Sequence, residues 1–294
     1  MVGGVEPAQD GPARPGFARA RWGQAELAAR ATTENFPVAS LLFPRALRPH
    51  LRAVYGFARL VDILGDEAER DRLALLDELE GEVDACYTGT PQPGAADQPS
   101  WRVMRVLQPT IREFDLPREP FLRLIECNRI DQRKHEYETW DEVLWYCDHS
   151  ADPVGRLVLG LLRLAGEPEL VSVSDDVCTG LQLVNFLQDV PRDLKLGRIY
   201  LPAEDRRRFA VTVLDEPNEP LRELLRFEAE RARGLLGGGR VLRERIGGRL
   251  GRAVGLFARG GLAALDVLEE AGWDVFTQRP RPSRLRLARE ALRA

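Results

Sequence analysis

The sequence predicts an all-α protein, a single-domain helical bundle enclosing a central apolar cavity. Three observations predict it. Apolar residues recur at i, i+3, i+4 and i+7 through nearly the whole chain, the spacing of one helical face. Runs of alternating apolar and polar residues are scarce, and residues 20–275 contain no Asn-Gly or Asp-Gly pair to close a hairpin. No shift in composition marks a linker in that span. One all-α domain over 19–276 is therefore expected, although 294 residues could accommodate two. A disordered Gly/Pro/Ala-rich tail is expected over 1–18 and an Arg-rich tail over 277–294.

In chain order, helices are expected at about 20–33, 46–68, 70–88, 100–114, 117–133, 139–165, 171–195, 218–246 and 248–272. Pro44 precedes the second. The stretch from Thr88 to Ser100, with three prolines, separates the third from the fourth. Pro117, Gly166 to Pro168 and Gly197 to Pro202 supply the next breaks. Gly237-Gly-Gly239 reads as an interruption within 218–246, since no Lys-Ser/Thr follows to make it a phosphate loop.

Composition narrows the function. Lys+Arg 42 against Asp+Glu 46 gives a net charge of -4, so no overall basic field is available for nucleic acid. Cys86, Cys127, Cys147 and Cys178 are scattered and only three histidines are present, which argues against a zinc site or a disulfide scaffold. The cysteines read as small buried hydrophobes in a reducing cytoplasm. No apolar run approaches the roughly 20 residues of a membrane span. Thr277 to Ala294 holds six arginines and an amphipathic stretch around Leu285, Leu287 and Leu292, a candidate contact with the inner face of a membrane.

Two acidic stripes carry the chemistry. Tyr55, Arg59, Asp62 and Asp66 step by 4, 3 and 4, placing them on one helical face amid Val54, Phe57, Val61, Ile63 and Leu64. Gln182, Asn185, Asp189 and Asp193 step by 3, 4 and 4 amid Leu183, Val184, Phe186, Leu187 and Val190. A helix apolar on its other faces is usually buried, and its carboxylates then need a cation or polar ligand. Asp62, Asp66, Asn185, Asp189 and Asp193 are hard oxygen donors without His or Cys, a set suited to Mg²⁺, which completes its shell with water and substrate phosphate. Arg59, Lys195 and Arg198 would hold the same phosphate, the arginines by bidentate contacts and the lysine as a point charge. Metal-bound diphosphate within apolar walls suits ionisation of an allylic or similar diphosphate, with water kept from the carbocation.

At these residues the chain also resembles a known family. Arg59-x-x-Asp62-x-x-x-Asp66-Glu67, Tyr146-Cys-x-x-x-Ala151-x-x-Val154-Gly155 and Gln182-x-x-Asn185-x-x-x-Asp189-x-x-x-Asp193-x-x-x-x-Arg198-x-Tyr200-x-Pro202 are similar to motifs of the squalene/phytoene synthases. The likeness runs from about residue 30 to 280, through Arg231-Ala-Arg233 and Gly260-Gly261. Glu34 to Ser40 and Tyr146 to Arg156 look like the bacterial hydroxysqualene synthase branch, which serves hopanoid biosynthesis. The resemblance implies the all-α isoprenoid synthase fold, Mg²⁺ as cofactor, and Tyr55, Tyr146 and Tyr200 lining the reaction cavity. It implies presqualene diphosphate as substrate, water as the quenching partner, no nicotinamide, and neighbouring hopanoid-pathway enzymes as partners.

The chain departs from relatives at three places. Ile63 stands where many carry a second Asp, Pro191 interrupts Asp189 to Asp193 and is expected to kink that helix, and Glu136 precedes Tyr137 where Arg is common. The rival within the class is head-to-head condensation of two prenyl diphosphates, for example farnesyl diphosphate, to presqualene diphosphate or phytoene. The rival of another class is a catalytically weak helical partner for neighbouring enzymes.

Overall fold

The computed structural model describes residues 43–89, 99–277, 280–283, 285–287 and 289. The expected helix at 20–33, the tail at 1–18 and the segment Glu34 to Ser40 lie outside the described residues, as does Leu292. Among the described residues the chain is helical, its one extended pairing being an isolated parallel bridge between Glu136 and Ile199.

Helix α1 (Arg48–Asp62) starts with Pro49 in its first turn, where a missing N–H costs nothing. It runs on as a five-residue π turn, Ile63–Glu67. Helix α2 (Arg72–Thr88) is opened by Asp71, whose carboxylate accepts from the Ala74 N–H at 3.2 Å, and closed by Gly89 at φ 75°. Then come α3 (Pro99–Phe114) and α4 (Glu119–Ile130).

The single helix expected over 139–165 is two, α5 (Trp140–Ser150) and α6 (Asp152–Leu161). Pro153 causes the break: its ring excludes the preceding turn from helix continuation but suits the first turn of a new one. Thr139 caps α5, accepting from the Glu142 N–H at 3.2 Å.

The long helix α7 (Pro168–Lys195) contains Pro191 and ends at Lys195, as expected from the sequence. A short α8 (Ala203–Arg208), unforeseen from the sequence, follows. The glycines at 237–239 divide 218–246 into α9 (Glu219–Leu236) and α10 (Gly238–Ile246). Helix α11 (Gly248–Glu270) completes the bundle.

Helix α7 is the axis of the fold, packing against α5, α6, α9, α10 and α11, while α1 rests on α3, α4 and α6. Gly180 and Gly261 let α7, α9 and α11 close on Leu236: a Cβ at Gly261 would lie 2.9 Å from the Leu181 side chain and 3.0 Å from that of Leu236. The core includes Phe57 edge-on to Phe121 at 5.1 Å. Cys86, Cys127 and Cys147 are buried and Cys178 half-buried, all as free thiols. No helix among the described residues is long and apolar enough to cross a membrane. The start of the Arg-rich tail lies against the bundle: Arg286 pairs with Glu270 at 2.8 Å and Asp266 at 3.2 Å, and Gln188 donates to the Pro280 carbonyl at 3.0 Å.

Candidate active site

Two local devices aim the functional side chains. The first is the π turn after Asp62. Gly65 sits in it against the buried Asn128 of α4, so close that a Cβ would fall 2.0 Å from the Asn128 amide oxygen. Gln132 donates to the Gly65 carbonyl at 3.0 Å. The extra residue in this turn changes the register that simple α-helical spacing predicts. Arg59 pairs with Asp62 at 3.7 Å and with Glu67 at 3.0 Å, whereas Asp66 turns towards α7 and its exit loop. π turns of this kind recur at functional sites. Ile63 is buried, which explains an apolar residue there: a carboxylate would point into the core.

The second device is the end of α7. The Gly197 N–H bonds the Leu194 carbonyl at 3.0 Å and the Arg198 N–H bonds the Asp193 carbonyl at 2.8 Å, a Schellman closure with Gly197 at φ 74°. This reversal folds Arg198 back over the helix. The exit strand then runs beside the segment that follows α4, with Ile199 N–H to the His135 carbonyl at 2.8 Å and Ala203 N–H to the Tyr137 carbonyl at 2.9 Å. That pairing brings Asp131, at the end of α4, to Arg198 and Tyr200.

The resulting set is continuous. Arg198 is buried and donates to Asp66 at 2.8 Å, with Asp131 at 3.6 Å. Tyr146 donates to one Asp131 oxygen at 2.8 Å and Tyr200 to the other at 2.9 Å. Arg192, half-exposed, reaches Asp189 at 3.5 Å and Asp66 at 3.9 Å, so it links the two acidic stripes. Asp193 stays turned inward despite Pro191: it lines a small void with Phe186, Arg198, Tyr200 and Leu214. Burial, reinforced by the Asp189 charge and opposed by Arg192 and Arg198, pushes the Asp193 carboxyl up to about 7. Burial pushes Asp131 up to about 6, with Arg198 and the two phenols opposing. Burial also raises the Tyr146 and Tyr200 phenols, so both stay protonated.

Rings close the inner side. Phe186 stacks on Tyr200 at 4.1 Å and 7°, and Tyr137 and Tyr146 lie 5.7 and 5.2 Å from Tyr200. A second small void lies behind this stack, lined by Trp140, Leu183, Leu187 and Glu228. Each void measures about 10 Å³, room for a single water.

Of the residues selected from sequence, Asp66, Asp189, Asp193, Arg198, Tyr146 and Tyr200 come together here. Arg59 and Asp62 form an adjoining pair with Glu67, and Tyr55 is half-buried one turn before Arg59. Asn185 is exposed on α7, and Lys195 is exposed at its end with no ion pair among the described residues. Asp131 and Arg192 escaped the sequence reading, and Glu67, quoted with the first motif, was given no role there. Arg192 and Glu67 had a signal, each lying inside an acidic motif, but Asp131 is a lone acid after an apolar helix.

Among the described residues no three His, Cys, Asp or Glu side chains converge as a ready-made metal cage. The donor set is nonetheless all oxygen, arrayed on two facing elements and already drawing arginines. These are features of a site that shares a hard cation with a phosphate ligand.

The squalene/phytoene synthase family model matches residues 29–286. The hydroxysqualene synthase of Rhodopseudomonas palustris is 36% identical over 222 residues, 72% of this chain and 71% of that one. The presqualene diphosphate synthase of the same organism is 33% identical over 189 residues, 62% of each. The crystal structure of squalene synthase HpnC from Alicyclobacillus acidocaldarius superposes with a TM-score of 0.76 at 43% identity, covering 85% of this chain and 93% of that one. The chain is an all-α enzyme-type member of the squalene/phytoene synthase family.

Proposed function

We propose that the protein converts presqualene diphosphate and water to hydroxysqualene and diphosphate. The observation that carries this reading is the continuity of Asp66, Arg198, Asp131, Tyr146 and Tyr200: a clamp for an anionic leaving group abuts a buried aromatic cluster suited to a cation. The branch is supported by the 36% identity to a hydroxysqualene synthase.

Asp62, Asp66, Asn185, Asp189 and Asp193 would hold Mg²⁺ together with the substrate's diphosphate. Bound Mg²⁺ supplies neutralisation of the diphosphate charge, which makes it a better leaving group. Arg198, buried and fixed by Asp66, offers its remaining N–H groups to the diphosphate oxygens, and Arg59, Arg192 and Lys195 lie at the rim. The C–O bond breaks with its electron pair going to diphosphate. Phe186, Tyr146 and Tyr200 face the cation that remains and exclude bulk water while it rearranges. One water then adds to carbon and loses a proton, giving the alcohol.

Separate incubations of the full chain with presqualene diphosphate and with farnesyl diphosphate, with Mg²⁺ and without NADPH, test this reading. Hydroxysqualene from presqualene diphosphate alone, lost in Asp62→Ala and Asp189→Ala, is expected. The second reading, favoured by the 33% identity to a presqualene diphosphate synthase, is condensation of two farnesyl diphosphates. It predicts presqualene diphosphate in the other incubation.

A further inference from the structure

The most completely connected buried charge near the site is one that no metal or diphosphate role accounts for. Asp131 is 6% exposed and terminates α4, and its two oxygens are shared out: Oδ2 accepts from Tyr146 at 2.8 Å and Oδ1 from Tyr200 at 2.9 Å. Arg198 approaches Oδ2 at 3.6 Å but makes its shorter contact, 2.8 Å, with Asp66.

A phenol has one proton. Once that proton is donated to Asp131, the hydroxyl can offer only lone pairs to anything else nearby. The two hydroxyl oxygens lie 3.4 Å apart, so they form a single electron-rich edge. Arg198 and Arg192 both reach Asp66, whereas Asp131 has only the longer 3.6 Å approach of Arg198 and otherwise faces the two phenols. Phe186, stacked on Tyr200, and Tyr137, behind it, keep that region low in dielectric, where a fixed charge acts with less screening.

We propose that Asp131 is a positioning residue acting through Tyr146 and Tyr200: by taking both phenol protons it makes the pair lone-pair donors to the substrate carbocation, while holding Arg198 on the diphosphate side. The inference rests on the reaction assigned above and adds the element that keeps the two products of heterolysis apart. The phenols then cannot protonate the substrate, and the cation is drawn away from the departing diphosphate. A neutral residue of the same shape would fill the space yet lose this polarity, because an amide has one acceptor oxygen for two hydroxyls.

The test uses the full chain as wild type, Asp131→Asn and Tyr146→Phe, with Mg²⁺ and inorganic diphosphate present. Binding of a farnesyl-length tertiary ammonium, charged where the carbocation would be, is compared with that of its uncharged carbon isostere. Wild type should prefer the ammonium by roughly tenfold or more. The preference should fall to near one in Asp131→Asn and part-way in Tyr146→Phe, with inorganic diphosphate affinity held within about threefold. A purely structural role would weaken both ligands together. Equal preference in wild type and Asp131→Asn overturns the proposal, as does a wild type that does not distinguish the two probes. If Asp131→Asn fails to fold, Tyr146→Phe decides it by the same criterion. Failure of wild type to make hydroxysqualene, with the ammonium preference intact and Asp131-dependent, would overturn the assigned reaction and leave this role standing.

Discussion

Gly65→Ala is the sharpest probe of how the first acidic motif is aimed. In an ordinary exposed helix the change would stabilise by up to about 1 kcal/mol. Here the new methyl would sit 2.0 Å from the Asn128 amide oxygen, 2.8 Å from its Cγ and 3.0 Å from its Cβ. Asn128 is 4% exposed and donates to the Leu124 carbonyl at 3.3 Å, so it cannot swing into solvent. Overpacking of about 1–3 kcal/mol, plus about 1 kcal/mol for the disturbed hydrogen bond, outweighs the helix gain. The net loss is about 2 kcal/mol, a fall in Tm of roughly 4–8 °C. The assay is a double-mutant cycle by thermal or urea unfolding. In an Asn128→Ala background the two closest contacts vanish and only the 3.0 Å approach to Cβ remains, so Gly65→Ala should there cost less than about 1 kcal/mol. An equal cost in both backgrounds would refute the idea that Asn128 shapes this turn. Because Asp66 is the next residue, the single variant should also weaken inorganic diphosphate binding.

Three further outcomes are expected. Gly197→Ala, in open space but at φ 74°, should cost about 1 kcal/mol and weaken diphosphate binding by misaiming Arg198, whereas Gly197→Asn should retain both properties better; unfolding curves and titration calorimetry read the two effects. Arg192→Gln should change stability by less than about 0.5 kcal/mol, since the pairs are long and half-exposed, yet reduce diphosphate affinity most strongly at low salt. Burial, then the Asp175 charge, pushes Asp152 up to about 7, and burial, opposed by Arg231, pushes Glu228 up to about 7. Both carboxyls hold protons in the folded chain that the unfolded chain has released, so their contribution to stability is full below about pH 4 and is lost as pH rises towards 7. Asp152→Asn should flatten that part of a Tm-against-pH curve.

The helices and both stripes were legible because each is written in one contiguous segment, where spacing alone fixes which side chains share a face. Periodicity carried across Pro153 without a visible break, since the apolar pattern of α5 continues into α6 and a proline opens a helix as readily as it ends one. At Pro191, by contrast, the expected helix end at Lys195 stands, with the proline inside α7. The π turn depends on Gly65 meeting Asn128, two residues on different helices, so the separation of Asp66 from the Arg59, Asp62 and Glu67 group had no local signature. Asp131 was hidden for the same reason. Its partners come from α5 and from the exit of α7, joined only when residues 135–137 pair with 199–203.

The central claim is that the site breaks a carbon–oxygen bond and lets one water reach the carbocation. Single-turnover conversion of presqualene diphosphate in ¹⁸O-labelled water, with Mg²⁺ and no reductant, tests it most directly. One labelled oxygen in hydroxysqualene and none in the released diphosphate is the predicted result. Label in the diphosphate with unlabelled alcohol would mean that water attacks phosphorus, and would contradict the account.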